Sequence, residues 1–378
     1  MRTERQQNLG LASVVVVLAA CIAAGLITCG PETSAISDGE NSQTRSFPDA
    51  PRPSRRVLPK AVKPLNSAAL IETRDRSGQV RILAGGHLYG RQGQGMPRPA
   101  SSFENAIPSL SDRDPDFMLA LGDTFFDSLP ATLLHTQRVL KRLPFPVLGV
   151  LGNHDNLPRG RFEIHFGPLW YGFQFRSVQV LVLDSEHPEF VIQGAQLLWL
   201  QKELRAVQQQ DHIRAVIICC HRVIWGDSAS LAVAALSSND GPMLLSMVEK
   251  LGEVHPFRRD IRPHLESLAK SKAVLCLAGD AGAFPGRSHN VFHEQEKDSE
   301  IHFVSLGCGD RGNDWMLQID VNPKRDRPAE LSFFNLKASA PKAVPRPEMP
   351  RPDFSAKTWR KRLFPRGLPA AYLAWIEG

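Results

Sequence analysis

The stretch "FPVLGVLGNHDN", from Phe145 to Asn156, decides the fold. It begins as an unbroken apolar run, which suits a strand buried on both faces, and it ends behind a glycine in Asn153, His154 and Asp155. A buried strand has no packing use for three consecutive polar side chains. Their position predicts a site at the end of the strand that uses an amide, an imidazole and a carboxylate.

Apolar runs of the same kind recur along the chain, separated by turn residues and helical patterns. They read "VRILAGG", "DFMLALGD", "VQVLVLDS", "AVIICCH", "AVLCLAGD", "IHFVSLGCG", "WMLQIDV" and "LSFFNL". Helical patterns cover residues 128–143, with Ser128 as the expected N-cap, and residues 193–210, 241–254 and 262–271. Alternating strands and helices followed by strands alone predict a layered α/β core with a partly antiparallel end.

Five of the apolar runs end in polar side chains, four of them directly after a glycine. They are Gly86-His87, Gly122-Asp123, Gly152-Asn153-His154-Asp155, Cys220-His221 and Gly279-Asp280. Ligands of α/β sheets bind beyond the carboxyl ends of the strands, so we expect these side chains to share one crevice. Carboxylate, imidazole and carboxamide groups suit Zn, Fe, Mn or Ni. The pattern predicts a mixed nitrogen and oxygen site that activates water, rather than a structural zinc cluster.

"GD" at 122–123, "GNHD" at 152–155 and the strand ending at His221 resemble the signature blocks of calcineurin-like metallophosphoesterases, over about residues 78–320. The stretches "FGPLWYGFQFRSVQVLVLDSE", "QLLWLQKEL" and "AVIICCHRVIW" resemble the purple-acid-phosphatase-type branch. The resemblance implies an α/β fold of two stacked mixed β-sheets flanked by helices, a four-layer sandwich. It also implies a two-metal site at the strand ends and hydrolysis of phosphate esters.

The resemblance also implies roles for individual residues. Asp123 resembles the carboxylate that bridges both metals, and Asn153 and His221 resemble ligands of the second metal. His154 resembles the histidine that stabilises or protonates the leaving group, oriented by Asp155. These two residues are the expected catalytic pair.

The sequence departs from the family pattern in three places. Gly85 stands where the family has an aspartate, two residues before the retained His87. Asp280 and Gly282 stand at the positions of two histidines, and Phe126 stands at the position of a tyrosinate.

These departures remove ligands mainly from the first metal, which keeps His87 and the shared carboxylate. The expected ligands of the second metal are Asp123, Asn153, His221 and Asp280. We therefore expect one tightly bound divalent cation (Mn, Fe, Zn or Mg), with two as the alternative. A carboxylate in place of an imidazole favours manganese, magnesium or iron over zinc. His289 and His293 are alternative nitrogen donors.

The expected function is a metal-dependent phosphoester hydrolase that acts on a phosphorylated small molecule or polymer. The alternative is a weak or inactive pseudo-phosphoesterase that serves as a binding module, which the lost ligand positions favour. A metal-free structural protein, whose polar strand ends satisfy one another, is a third interpretation.

Positive charge is concentrated in two segments on either side of the middle of the chain. Residues 45–63 and 337–366 together carry +12, whereas the whole chain of 378 residues carries +6. Basic residues among prolines are typical of solvated segments, so no nucleic-acid partner is predicted. The expected parts are an anchor or signal segment (1–29), a flexible Pro/Ser/Arg-rich tether (30–70), a metallophosphoesterase-like domain (71–336) and a basic, Pro-rich tail (337–378).

The N-terminal segment predicts the location of the protein. Leu9 to Ile27 are nineteen residues without a charge, preceded by Arg2 and Arg5, close to the ~20 residues of a membrane-spanning helix. A retained signal anchor in contact with membrane lipid, a lipoprotein signal ending in "LAAC" and a cleaved secretory signal remain as alternatives. All three place the main domain outside the cytoplasm, in a periplasmic or extracellular space.

The cysteines of the main domain do not form a disulfide framework. Cys219, Cys220, Cys276 and Cys308 lie in apolar runs and are predicted to be buried free thiols. A bridge between Cys276 and Cys308 is the alternative.

Overall fold

The computed structural model describes residues 58–70, 78–90, 98–158, 160–186, 190–225, 238–239, 256–281, 291–310 and 314–336. All of them belong to one compact unit, Ala50–Gly378; the other unit, Met1–Asp49, lies outside the described residues. The predicted anchor, the C-terminal tail, the helical pattern at 241–254, Gly282 and His289 also lie outside them. Within the described ranges, none of the helices has the length and apolar character needed to cross a membrane.

Most strands and helices follow the predicted order. The strands are β1 Val80–Gly85, β2 Phe117–Ala120, β3 Val147–Gly149, β4 Tyr171–Phe175, β5 Val178–Val182, β6 Ala215–Cys220, β7 Ala273–Ala278, β8 Val291–Gln295, β9 Ile301–Leu306, β10 Trp315–Val321 and β11 Ala329–Asn335. The helices are α1 Ser101–Asp112, α2 Pro130–Leu140, α3 Arg161–Phe166, α4 Gly194–Gln208 and α5 Arg262–Ala269, the last preceded by a π-helical turn, Phe257–Ile261.

The strands form two mixed sheets. The first has the order β11-β10-β1-β2-β3, in which β1, β2 and β3 are parallel and β10 and β11 are antiparallel. The second has the order β4-β5-β6-β7-β9-β8, in which the edge strands β4 and β8 are antiparallel to a parallel centre. The parallel centres bring the loops after β1, β2 and β3 together in one sheet, and those after β6 and β7 together in the other.

Neighbouring residues of one strand face opposite layers. Ile82 lies in the apolar cluster between the two sheets, whereas Leu83 packs on the side covered by α1, α2 and α3. Ile217 lies between the sheets, whereas Ile218 packs on the side covered by α4 and α5. Because side chains alternate between the two faces of a strand, each sheet packs against the other sheet on one face and against helices on the other. The result is four layers, with a helical layer outside each sheet. The predicted α/β sandwich is confirmed.

The sequence patterns do not predict α1, α3, β4 and β8. Phe103, Ile107 and Leu110 are buried along α1, but Pro108 inside the helix masks its pattern. The edge strand β8 is only partly buried, so it has no apolar run. The buried thiols are confirmed, since all four cysteines of the main domain are free.

Ser128 does not cap α2. The helix begins at Pro130, and the Ser128 hydroxyl donates a hydrogen bond to the Asp155 carbonyl instead. The amide of Leu129 donates to Asp127 Oδ1 at 3.0 Å. Since Pro130 has no N–H at the first helical position, the serine is free to tie the helix to the "GNHD" loop.

The segment at residues 58–70, predicted to be part of the tether, packs on the domain. Leu65 is fully buried, and its amide donates to the Val147 carbonyl at 2.8 Å. The Asn66 side chain donates to the Phe145 carbonyl at 2.8 Å. The predicted boundary at residue 70 is therefore wrong. The apolar residues of this segment are few and scattered among prolines and lysines, so the sequence shows no helix or strand pattern. In the folded protein they nevertheless pack against β3.

We expect Leu65→Ala to lower the free energy of unfolding by about 2–5 kcal/mol, because it leaves a cavity beside β3. Denaturant titration measures this change. Leu134→Ala is the control, since Leu134 is 51% exposed on α2 and should cost less than about 1 kcal/mol. Equal stability of the Leu65→Ala variant and the native protein would contradict the packing of this segment.

Candidate metal centre

Loops from both sheets meet at the carboxyl ends of the parallel strands. The amide of His87, after β1, donates to the Gly122 carbonyl, after β2, at 2.9 Å. The amide of Cys308, after β9, donates to the Gly86 carbonyl at 3.0 Å and so connects the two sheets. The amide of Asp280, after β7, donates to the His221 carbonyl at 2.9 Å. These backbone bonds hold the loops that carry His87, Asp123, His221 and Asp280 close together.

Two glycines permit this close approach. Gly122 has a φ of +86°, and a Cβ atom there would lie 2.4 Å from His221 Nδ1. A Cβ atom on Gly152 would lie 2.3 Å from Asp123 Oδ1. Any side chain at either position would push the loops apart, which explains why glycine precedes the polar residues.

Asp123 lies at the centre of the cluster and is buried. Its Oδ1 is 3.5 Å from His221 Nε2, and its Oδ2 is 3.6 Å from His87 Nε2. The amide of His154 donates to Oδ1 at 3.0 Å. One carboxylate therefore lies between two imidazoles, each facing a different oxygen.

Three imidazoles are anchored in the same way, each by a hydrogen bond from Nδ1 to a backbone carbonyl. His87 bonds to Cys308 at 3.1 Å, His221 to Leu121 at 3.0 Å and His154 to Phe126 at 2.9 Å. A carbonyl can only accept, so each Nδ1 carries the proton. The neutral form of each ring then has its lone pair on Nε2, as in histidines that bind metals.

His221 Nε2 is a buried polar atom without a hydrogen-bond partner among the described residues. Its polar neighbours, Asp123 Oδ1 at 3.5 Å and Asp280 Oδ1 at 3.8 Å, are too distant for hydrogen bonds. Leaving such an atom unsatisfied costs roughly 1–3 kcal/mol. This arrangement is typical of a histidine nitrogen whose lone pair is available to bind a metal ion.

Asp280 divides its two oxygens between two neighbours. Oδ1 faces His221 Nε2 at 3.8 Å, whereas Oδ2 accepts a hydrogen bond from Arg222 Nη1 at 3.1 Å. The carboxylate is thus directed into the cluster rather than into its own turn. Asn153 lies half-buried in the loop next to His154.

Asp155 does not orient the ring of His154. Its Oδ1 accepts from the Phe125 amide at 2.8 Å and its Oδ2 accepts from the Gly152 amide at 2.9 Å. The orienting group is the Phe126 carbonyl, so the orienting role predicted for Asp155 is corrected. Asp155 instead ties the loop after β2 to the loop after β3.

Sequence reasoning missed Tyr89, Arg222 and Glu186. The Tyr89 ring packs between the rings of His87 and His154, with centroids 4.3 and 4.7 Å away. Arg222 directly follows His221 and is buried, a weak signal because a buried arginine requires partners. His293, a predicted alternative donor, lies on β8 with Nε2 3.2 Å from His302 Nδ1.

The buried surroundings act in opposite directions on the pKa values of the two imidazoles that face Asp123. Burial lowers the pKa of His87 to about 4, so this imidazole is neutral near pH 7. Burial also opposes charge on His221, but the carboxylates of Asp123 and Asp280 outweigh it and raise the pKa of His221. Burial raises the pKa of Asp155 well above its ordinary value, and the nearby charge of Asp123 adds to the increase.

Comparison with protein families gives a match over the central part of the chain. Residues 95–241 match the calcineurin-like phosphoesterase family. The resemblance seen in the sequence motifs is confirmed over this part of the chain. The matched region includes Asp123, His154 and His221, and it leaves out His87 and Asp280.

Comparison with the curated proteins gave no match. Among solved structures, the chain is similar to a purple acid phosphatase from seeds of yellow lupin (Lupinus luteus), with 11% sequence identity and a TM-score of 0.47. The similarity covers 69% of this chain and 52% of that one, so the chain spans about half of that protein's length. A similarity this distant carries no argument about activity.

The cluster of this phosphoesterase-like region fits a divalent cation. No group of three or more His, Cys, Asp or Glu side chains within the described ranges is placed closely enough to enclose a metal ion as it stands. However, nitrogen and oxygen ligands bonded at about 2.1 Å lie about 3.0 Å apart in an octahedral site and about 3.4 Å apart in a tetrahedral one. The 3.5 Å between His221 Nε2 and Asp123 Oδ1 and the 3.8 Å to Asp280 Oδ1 are longer than the octahedral spacing, so these side chains would have to close by about 0.5–0.8 Å around Mn²⁺ or Mg²⁺. The unpartnered Nε2 and the mixed donor set both fit a metal ligand site.

We expect Asp155→Ala to lower the free energy of unfolding by about 2–5 kcal/mol, since it leaves two buried backbone amides without acceptors. Denaturant titration measures the change, and Asp112→Ala, at an exposed position, is the control. Full stability with lost hydrolysis would show that Asp155 acts in catalysis and not in joining the two loops.

Proposed function

We propose that the protein is a metal-dependent phosphoester hydrolase with one tightly bound divalent cation. The family match over residues 95–241 supports metal-dependent phosphoester hydrolysis. The observation that carries the proposal is the buried, unpartnered His221 Nε2, which faces the carboxylates of Asp123 and Asp280.

Asp123, His221 and Asp280 are the proposed ligands with facing donor atoms, and Asn153 completes the set from the adjoining loop. His87 faces the other oxygen of Asp123. Two carboxylates with one imidazole form a hard, anionic donor set, which favours Mn, Mg or Fe over Zn.

The surroundings of Gly85 support one cation rather than two. A Cβ atom at this position would lie 3.0 Å from Met316 Cε and 3.6 Å from Leu88 Cδ2. Met316 and Leu88 are fully buried in the cluster covered by α1, α2 and α3. An aspartate at residue 85 would enter apolar packing and press on the flexible Met316 side chain, so the first-metal position lacks its carboxylate and its surroundings do not favour one.

A cation held by these residues would supply Lewis-acid polarisation of a phosphoryl oxygen and activation of water. His154 supplies the proton of the leaving group from Nε2, because the Phe126 carbonyl holds the hydrogen on its Nδ1. Tyr89 and Phe126 pack against this ring, with centroids 4.7 and 5.5 Å away, and limit its rotation. The proposed substrate is a phosphate ester of a small molecule or a polymer.

Purified protein should hydrolyse an aryl phosphate in the presence of Mn²⁺ and lose the activity after chelation. His154→Ala should lower kcat by about 10²–10⁴, the usual contribution of a general acid or base. Its affinity for Mn²⁺ should be unchanged, as measured by calorimetric titration.

His165→Ala is the matched control, since His165 is exposed on α3. A loss of Mn²⁺ together with activity in His154→Ala would make His154 a ligand or a support. Mn²⁺ binding by the native protein without hydrolysis of any phosphoester would favour the pseudo-phosphoesterase instead.

The proposed location is outside the cytoplasm, with the domain attached to the membrane through Leu9–Ile27. This uncharged segment with Arg2 and Arg5 before it supports the proposal. A reporter that works only after export, fused after Leu336, should be active. Activity of a reporter confined to the cytoplasm at the same position would contradict this orientation.

A further inference from the structure

Arg222 forms a buried ion-pair network beside the metal centre. It is 3% exposed. Its Nε and Nη2 donate to the carboxylate of Glu186, each at 3.0 Å, and its Nη1 donates to Asp280 Oδ2 at 3.1 Å. The backbone amide of Arg222 donates to Ser185 Oγ at 3.0 Å. One guanidinium therefore joins the loop after β5 to the loop after β7.

The planar guanidinium restricts the geometry of this network. Two parallel hydrogen bonds to Glu186 fix the plane of the group, and the Phe190 ring lies 4.9 Å from its central carbon. With its plane fixed, Nη1 can reach Asp280 from one direction only. The direction of the Asp280 carboxylate is thus set by Glu186 through Arg222.

This contact determines which oxygen of Asp280 remains available. Oδ2 is engaged by Arg222 Nη1, whereas Oδ1 faces His221 Nε2 at 3.8 Å. A cation at the centre would therefore meet one oxygen of Asp280 rather than two. An imidazole is held by one hydrogen bond at Nδ1, but a short carboxylate that replaces it needs another anchor.

We propose that Arg222 is a positioning residue that presents Asp280 Oδ1 to the bound cation, with Glu186 as its anchor. This inference rests on the proposed metal centre and goes beyond it, since neither Arg222 nor Glu186 belongs to the ligand set. Arg222 acts through the direction of one carboxylate, and its positive charge alone is not sufficient.

The test is a double-mutant cycle on Mn²⁺ affinity, measured by calorimetric titration of the full chain. The proteins are the native chain, Arg222→Lys, Asp280→Ala and the double variant. Lysine keeps the charge but cannot bond to Glu186 in a fork while reaching Asp280. Arg222→Lys should weaken Mn²⁺ binding by about 10–100-fold, the usual effect of losing a partner of a metal ligand. In the Asp280→Ala background the same change should have no further effect.

The matched control is Arg262→Lys, which makes the same substitution in an ion pair with Glu296. It should leave Mn²⁺ affinity unchanged. If Arg222→Lys does not fold, as judged by circular dichroism, Glu186→Gln replaces it in the cycle, because it removes the anchor and leaves Arg222 in place. The same loss of affinity is expected, again only when Asp280 is present.

Equal losses in both backgrounds would overturn the inference, because they would show a general structural effect. Unchanged affinity in Arg222→Lys would also overturn it. Failure of the native chain to bind Mn²⁺ would reject the metal centre and this inference together. A third result separates the two proposals. If the native chain binds Mn²⁺ tightly and Arg222→Lys weakens binding only when Asp280 is present, but no phosphoester is hydrolysed, the proposed function is rejected and the role of Arg222 is supported.

Discussion

The Asp123 carboxylate is buried between two imidazoles, with one oxygen near His221 and the other near His87. A buried carboxylate is tolerated only when surrounding groups compensate its charge. The amide of His154 donates to it, and a facing cation would complete the compensation. Gly122 and Gly152 leave room for the loops to approach it. The arrangement of the centre therefore follows from the requirement to accommodate this one carboxylate.

The two sheets contribute different parts of the centre. The first sheet supplies His87, Asp123 and His154 from loops after β1, β2 and β3, and the second supplies His221 and Asp280 after β6 and β7. Their relative positions depend on the apolar cluster between the sheets and on hydrogen bonds across them, from the Cys308 amide to the Gly86 carbonyl and from His221 Nδ1 to the Leu121 carbonyl. Close packing of this layer fixes the distances between side chains that come from different sheets.

The departures from the family pattern are accompanied by changes in the surrounding packing. At Gly85 the missing carboxylate is matched by apolar packing of Met316 and Leu88. At Asp280 the carboxylate that replaces an imidazole is matched by a buried arginine and a second carboxylate, Glu186. Residue 85 lies in apolar packing, whereas the carboxylate of Asp280 is oriented by charged neighbours. The proposed centre with one cation accounts for both changes.

The sequence by itself determined the apolar strands, the polar residues at their ends and the α/β class, since strand period and chain connectivity are local properties. It also located Asp123, His154 and His221 through short motifs. Only the tertiary structure showed that Asp155 joins two loops and that residues 58–70 pack on β3. The same holds for the Arg222 contacts, which join Glu186, 36 residues before it, to Asp280, 58 residues after it. Contacts over such separations depend on how strands and sheets pack, and no local spacing encodes them.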